Sequence, residues 1–285
     1  MVSIFVFGLV GGDAGKTVVS SAIARGLVKR GVDLGVFKAF SEHDLWYDYD
    51  VYLMCKSEGR LFCGDIVKLH KAAMLDDLPY EVTNPVDRLE LLKISEESVC
   101  SKVVIERYTI SKSKKVFNIL NVNTLLASKT LDPEFIAKLK GYAAKIVGFS
   151  SEEQFRRTRD SMTPSAIESC YSFVKEKYDH VIVEGHKDMV CPIPSITFDV
   201  TIGVAPGVAV LFDAKSFRTG VNTCVKQGVP SGSIRAVNIE PYLKKNTVIK
   251  LPPLPSNKIS SYEEIAEEFS LLVDVVAKEV ERLES

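Results

Sequence analysis

The run Gly11-Gly12-Asp13-Ala14-Gly15-Lys16-Thr17 lies between a short apolar segment, Ser3 to Phe7, and a stretch from Thr17 to Arg30 in which Val18, Ala22, Leu27 and Val28 fall near one helical face. A strand, a glycine-rich loop and a helix in that order leave few folds open. Gly31 stops the helix, and Val32 to Phe37 reads as a second strand. The opening is therefore a β-loop-α-β unit, the building block of a parallel sheet with a right-handed crossover. The loop also carries chemistry. Small residues let backbone N–H groups close around phosphate oxygens, and the helix N-terminus adds its positive dipole end. In such a loop the lysine, here Lys16, is expected to reach the β- and γ-phosphates, and the hydroxyl, here of Thr17, to bind Mg²⁺. One position departs from the strict GxxxxGK[ST] pattern: Val10 stands where the first glycine should be.

Further apolar runs at Val181 to Val183, Val200 to Val204, Ile234 to Val237 and Thr247 to Leu251 predict more strands. Several lack strict alternation, which suits strands buried on both faces of a helix-covered sheet. The middle of the chain has a different texture. Asp65 to Ala73 reads as helix, and Leu78-Pro79 and Asn84-Pro85 mark turns. Lys102 to Ile110 and Val116 to Val122 form a hairpin around the polar tip Ser111 to Lys115. Asp132 as N-cap with Pro133 at the first helical position starts a helix to Val147. Residues 153–177 read as a helical stretch interrupted near Pro164. Ser261, with Glu264 three residues later, caps a final amphipathic helix running to Leu283.

The 285 residues carry 36 Lys+Arg against 37 Asp+Glu, so no basic excess marks a nucleic-acid binder. No apolar stretch approaches the roughly 18 residues of a spanning helix, and the N-terminus lacks the basic flank and cleavage site of a signal peptide. A cytoplasmic protein without membrane contact is expected. The six cysteines form no CxxC pair and read as reduced core thiols.

The residues Phe5 to Gly8, Gly15 to Ser20, Arg30-Gly31 and Lys38 make the chain resemble dethiobiotin synthetase and its relatives among the P-loop ATPases, a family that tolerates a non-glycine at the first loop position. The resemblance continues in order through Gly64-Asp65-Ile66, Tyr80 to Pro85, Val183-Glu184-Gly185, Val237-Asn238 and Pro252 to Pro255. It implies a three-layer P-loop NTPase fold with a mainly parallel central sheet flanked by helices. A single domain would span residues 1–285, with an inserted hairpin and helical segment at about 90–165. It also implies Mg-ATP-dependent phosphoryl transfer, in the family to a carbamate whose ring then closes, and a homodimer. On this resemblance Gly11, Gly12, Asp13, Ala14, Gly15, Lys16, Thr17 and Val18 hold ATP and Asn238, ending a strand, contacts its adenine. Thr17, Asp65 and Glu184 surround Mg²⁺, and Lys16 and Lys38 act on the transferring phosphate and the phosphorylated intermediate.

Two departures bear on the second substrate. His186-Lys187-Asp188 replaces the family's glycines after Val-Glu-Gly, and Ala39 to Asp44 replaces its proline and small polar residues. These imply an ATP-dependent synthetase or ligase acting on a small carboxylate or amine other than the dethiobiotin precursor, with His43 and His186 as candidate proton-transfer or recognition groups. The alternative is a switch ATPase whose nucleotide state controls a protein partner; the absence of a lysine at Val10, Gly11 or Gly12 counts against it. A third possibility is a binding protein that keeps nucleotide and has lost chemistry.

Overall fold

The computed structural model describes residues 1–94, 99–113 and 115–285. It is an α/β structure whose strands are β1 (Val2–Gly8), β2 (Leu34–Phe37), β3 (Phe40–Asp44), β4 (Val86–Ile94), β5 (Val99–Lys112), β6 (Lys115–Asn123), β7 (Lys145–Phe149), β8 (His180–Glu184), β9 (Val200–Ala205), β10 (Val208–Phe212) and β11 (Lys245–Lys250). The chain divides into two compact units, the first comprising residues 1–39, 67–77 and 174–285, the second residues 40–66 and 78–173.

The first unit is built on a sheet of order β11-β10-β9-β1-β8-β2. β9, β1, β8 and β2 are parallel, and β10 and β11 extend one edge antiparallel. Every residue of β1, β2 and β8 is buried, as non-alternating apolar runs predict for strands covered on both faces. On one face Phe5 stacks on Phe198, and Phe5 and Phe7 both meet Phe217 of helix Ala214–Lys226. Helix Lys16–Val28 packs on the C-terminal helix Ser270–Glu284 so closely that a Cβ at Gly26 would lie 2.3 Å from a Val273 methyl.

The second unit has a sheet of order β3-β4-β5-β6-β7, an antiparallel meander from β4 to β6 with a parallel strand at each edge. The predicted hairpin is its centre, and the strands run further toward the tip, with Lys112 opposite Lys115. Of the tip's lysines, Lys114 lies outside the described residues.

Four local expectations are corrected. Ile234 to Val237 is not a strand: a single bridge joins Arg235 to Met189, and Ala236–Ile239 is one helical turn. The Asn238 side chain takes the Arg235 N–H and so closes a local turn in place of a ladder bond. The helix from Pro133 ends at Tyr142, because Lys145–Phe149, rich in β-branched and aromatic residues, pairs with β6. Helix Glu152–Lys177 runs unbroken through Pro164. Its buried residues Ile167, Cys170, Tyr171 and Val174 repeat at helical spacing, and that packing outweighs the local loss of one backbone donor. The last helix is two, Tyr262–Glu268 and Ser270–Glu284, divided at Phe269, where the backbone leaves helical geometry and the ring is buried.

Cys55, Cys63, Cys170, Cys191 and Cys224 are free and buried, and burial pushes the thiols of Cys170 and Cys191 up to about 12. No helix among the described residues is long and apolar enough to cross a membrane.

Candidate functional site

Three parallel strands of the first unit end together. Val6 of β1 is in register with Glu184 at the end of β8, and Phe37 at the end of β2 is in register with Val183. The residues just past these ends, Gly8 to Gly15 after β1 and Lys38 after β2, therefore emerge at one sheet edge with Glu184. This carboxyl edge is where open α/β sheets bind ligands.

The loop after β1 is anchored at its base. Gly8 N–H donates to the Lys187 carbonyl and Leu9 N–H to that of Val204. A Cβ on Gly8 would stand 2.6 Å from the Lys187 oxygen, so only glycine fits there. Beyond the base, residues 10–13 are exposed. Asp13 and Gly15 take left-handed φ of 43° and 83°, turning the chain into helix Lys16–Val28. Val10 is not in the left-handed region, which explains why the first loop position does not require glycine. The helix has no side-chain cap hydrogen bond and no acidic residue in its first turn, so its dipole is not offset there by a carboxylate of its own.

At the edge itself Glu184 is the hub. Thr17 Oγ1 donates to its Oε1 at 3.2 Å, and Lys38 Nζ donates to the same oxygen at 2.5 Å. Glu184 and Lys38 are both buried, at 1% and 3% exposure. The other carboxylate oxygen, Oε2, is buried with no hydrogen-bond partner among the described residues. A buried anionic oxygen without a donor is costly, and it is the kind of hard ligand that Mg²⁺ takes. Three predicted residues, Thr17, Lys38 and Glu184, are thus brought together within one unit.

The other candidates each have their own local setting. Asp65 stands in the first turn of helix Gly64–Ala73, where its charge suits the dipole, and belongs to the second unit. Asn238 is exposed, and its side-chain oxygen is occupied by the Arg235 N–H. His186 and Lys187 follow β8, with the Lys187 carbonyl serving the base of the loop; Lys187 has a φ of 51°. His43 and Ser41 lie on β3 of the second unit, where Ser41 Oγ donates to Asp87 Oδ1 at 2.5 Å and His43 Nδ1 lies 3.4 Å from that oxygen.

One feature was not assigned from the sequence. A cleft of about 150 Å³ adjoins the loop, lined by Gly15, Val18 and Val19 on one side and by Pro206, Pro252 and Leu254 on the other. Its signal was the proline-rich run Pro252 to Pro255, which the resemblance aligned without giving it a role.

The donor set fits a magnesium ion in the company of phosphate. Thr17 and Glu184 supply hard oxygens. Among the described residues no group of three or more His, Cys, Asp or Glu forms a metal cage, and Mg²⁺ in phosphoryl-transfer sites is held by one or two protein oxygens with the phosphates and water. No protein-family model, no curated protein and no solved structure matches this chain.

Proposed function

We propose that the first unit is a P-loop NTPase fold that binds Mg-ATP, and that the chain is an ATP-dependent synthetase or ligase of the dethiobiotin-synthetase kind. It would transfer the γ-phosphoryl group to a small carboxylate or carbamate other than the dethiobiotin precursor. The observation that carries this reading is the convergence of Thr17, Lys38 and Glu184 at the edge where the uncapped helix N-terminus also points.

Phosphoryl transfer demands alignment and charge neutralisation more than a protein nucleophile. The loop N–H groups and Lys16 would hold the β- and γ-phosphates. Thr17 and Glu184 would hold Mg²⁺; the ion supplies charge neutralisation on the phosphate oxygens when bound. Lys38, a compact charge at a buried position, would stabilise negative charge on the acceptor side. The base would lie in the apolar cleft that Val18 and Pro252 line; Asn238, whose side-chain amide keeps its N–H donors, stays an adenine contact on the resemblance alone. His186-Lys187-Asp188 beside the loop base supports a substrate unlike the family's diamine.

ATP turnover by the purified chain, measured against a panel of small carboxylates and amines, tests this reading. Stimulation by one of them supports the synthetase. Turnover that responds only to another protein points to the switch ATPase, and turnover insensitive to Lys38→Ala contradicts the role given to Lys38.

A further inference from the structure

The second unit contains a cavity that the nucleotide reading does not use. Ile105 of β5 and Val122 of β6 are register partners, and Leu120 lies two residues along the same face, so the three form a continuous apolar floor. Helices Thr124–Thr130 and Pro133–Tyr142 supply Ala127 and Leu139 to the lining. The cavity has a volume of about 330 Å³ and opens to the surface beside the exposed Thr124, Lys140 and Ile146.

Three observations separate this space from a packing defect. Core voids are seldom larger than a water molecule, whereas about 330 Å³ lies in the range of small-molecule sites. Its deep walls, Ile105, Leu120, Ala127 and Leu139, are each at most 4% exposed, and the lining contains aliphatic side chains and no aromatic ring. The lining also includes Lys140, an exposed cation that makes no ion pair among the described residues, although Lys138 on the same helix is paired with Glu134. Gly148 preserves the shape, since a Cβ there would press on the Thr124 methyl at 3.1 Å.

We propose that this cavity is a binding site for a small aliphatic anion, with the hydrocarbon chain against Ile105, Leu120 and Leu139 and the carboxylate at Lys140. The Thr124 hydroxyl, also on the lining, is a second donor. An aliphatic tail suits walls of Leu, Ile, Val and Ala, and a single negative end suits the one cation that lines the cavity. The site lies within the second unit alone and is independent of the nucleotide reading.

Calorimetric titration of the full chain with butanoate, hexanoate, octanoate and decanoate tests it. Each added methylene buried in the cavity should tighten binding about fourfold until the chain fills the space. Lys140→Gln, a change at an exposed position that leaves the fold intact, should weaken octanoate about tenfold. Ala127→Trp should abolish binding by filling the cavity; if that variant fails to fold, Lys140→Gln still decides. Absence of binding at millimolar octanoate, affinity independent of chain length, or octanoate binding unchanged by Lys140→Gln would overturn the proposal. None of these failures touches ATP binding, which is measured separately.

Discussion

The two sheets handle polarity in opposite ways. In the first unit the strands are apolar inside apart from Ser3, His180 and Thr201 near their amino ends, and the buried ion pair of Lys38 and Glu184 sits at the carboxyl edge. In the second unit polar groups run through the middle of the sheet. Ser41, Asp87, Arg107 and Leu120 are successive register partners across β3 to β6, so three buried polar residues and the floor of the cavity share one face. Arg107 donates to the carbonyls of Leu61, Pro85 and Asn84, to the Asn84 side chain and to Thr109. The contrast teaches where each unit is brittle: the first at one ion pair on its rim, the second at a guanidinium in its core.

Arg107→Met should give the largest effect. Three buried backbone carbonyls would lose a donor, at about 1–3 kcal/mol each, so a loss on the order of 5 kcal/mol is expected. Hydrogen exchange should place it in β4, β5 and the segment around Leu61, with the amides of β1 and β8 unchanged. Equal loss of protection in both sheets would break the comparison.

Lys38→Met comes next. It strands the Glu184 carboxylate in a buried position, which costs about 3 kcal/mol or more. Pairing it with Glu184→Gln should recover most of that stability in denaturant unfolding. A double variant no more stable than the single one would show that the pair is not the unit of stability assumed here.

The smallest effect is pH-dependent. Burial disfavours the charged His43 imidazolium, but the Asp87 carboxylate beside it prevails and raises its pKa above the ordinary 6.5. Burial likewise opposes the Asp87 carboxylate, and His43 with Arg107 overrides it and holds the pKa below 3.8. The His43 contribution is present in full below pH 6.5 and disappears as pH rises through its raised folded value. The Asp87 contribution is present above pH 3.8 and disappears as pH falls through its lowered one. The destabilisation caused by His43→Gln should therefore be greatest between those values and shrink on the alkaline side. A penalty that grows with rising pH would contradict this pairing.

The difference between the units also explains what could be read beforehand. Phe5, Val6 and Val181 to Val183 announce buried strands by composition alone, and the glycine loop announces the helix that follows. Glu184 and Lys38 were legible because each closes such a strand. By contrast β3, Phe40–Asp44, reads Phe-Ser-Glu-His-Asp and has no apolar run, because its inward residues Ser41 and His43 are held by Asp87, a partner many residues away. β4 hides for a related reason: Arg88, flanked by Glu42, Glu90 and Glu106, stacks over Phe40 and Phe155, contacts that no local pattern encodes. Asn238 shows the converse error, where a plausible strand end was overruled by a side chain bonding its own backbone three residues away.

Equilibrium binding of Mg-ATP to the parent chain and to Lys16→Ala, each confirmed as folded, tests the central claim most directly. The parent should bind with a strict requirement for Mg²⁺, and Lys16→Ala should lose at least about tenfold in affinity. Equal binding by the two proteins, or no binding by the parent, would contradict a nucleotide site at Gly11 to Thr17.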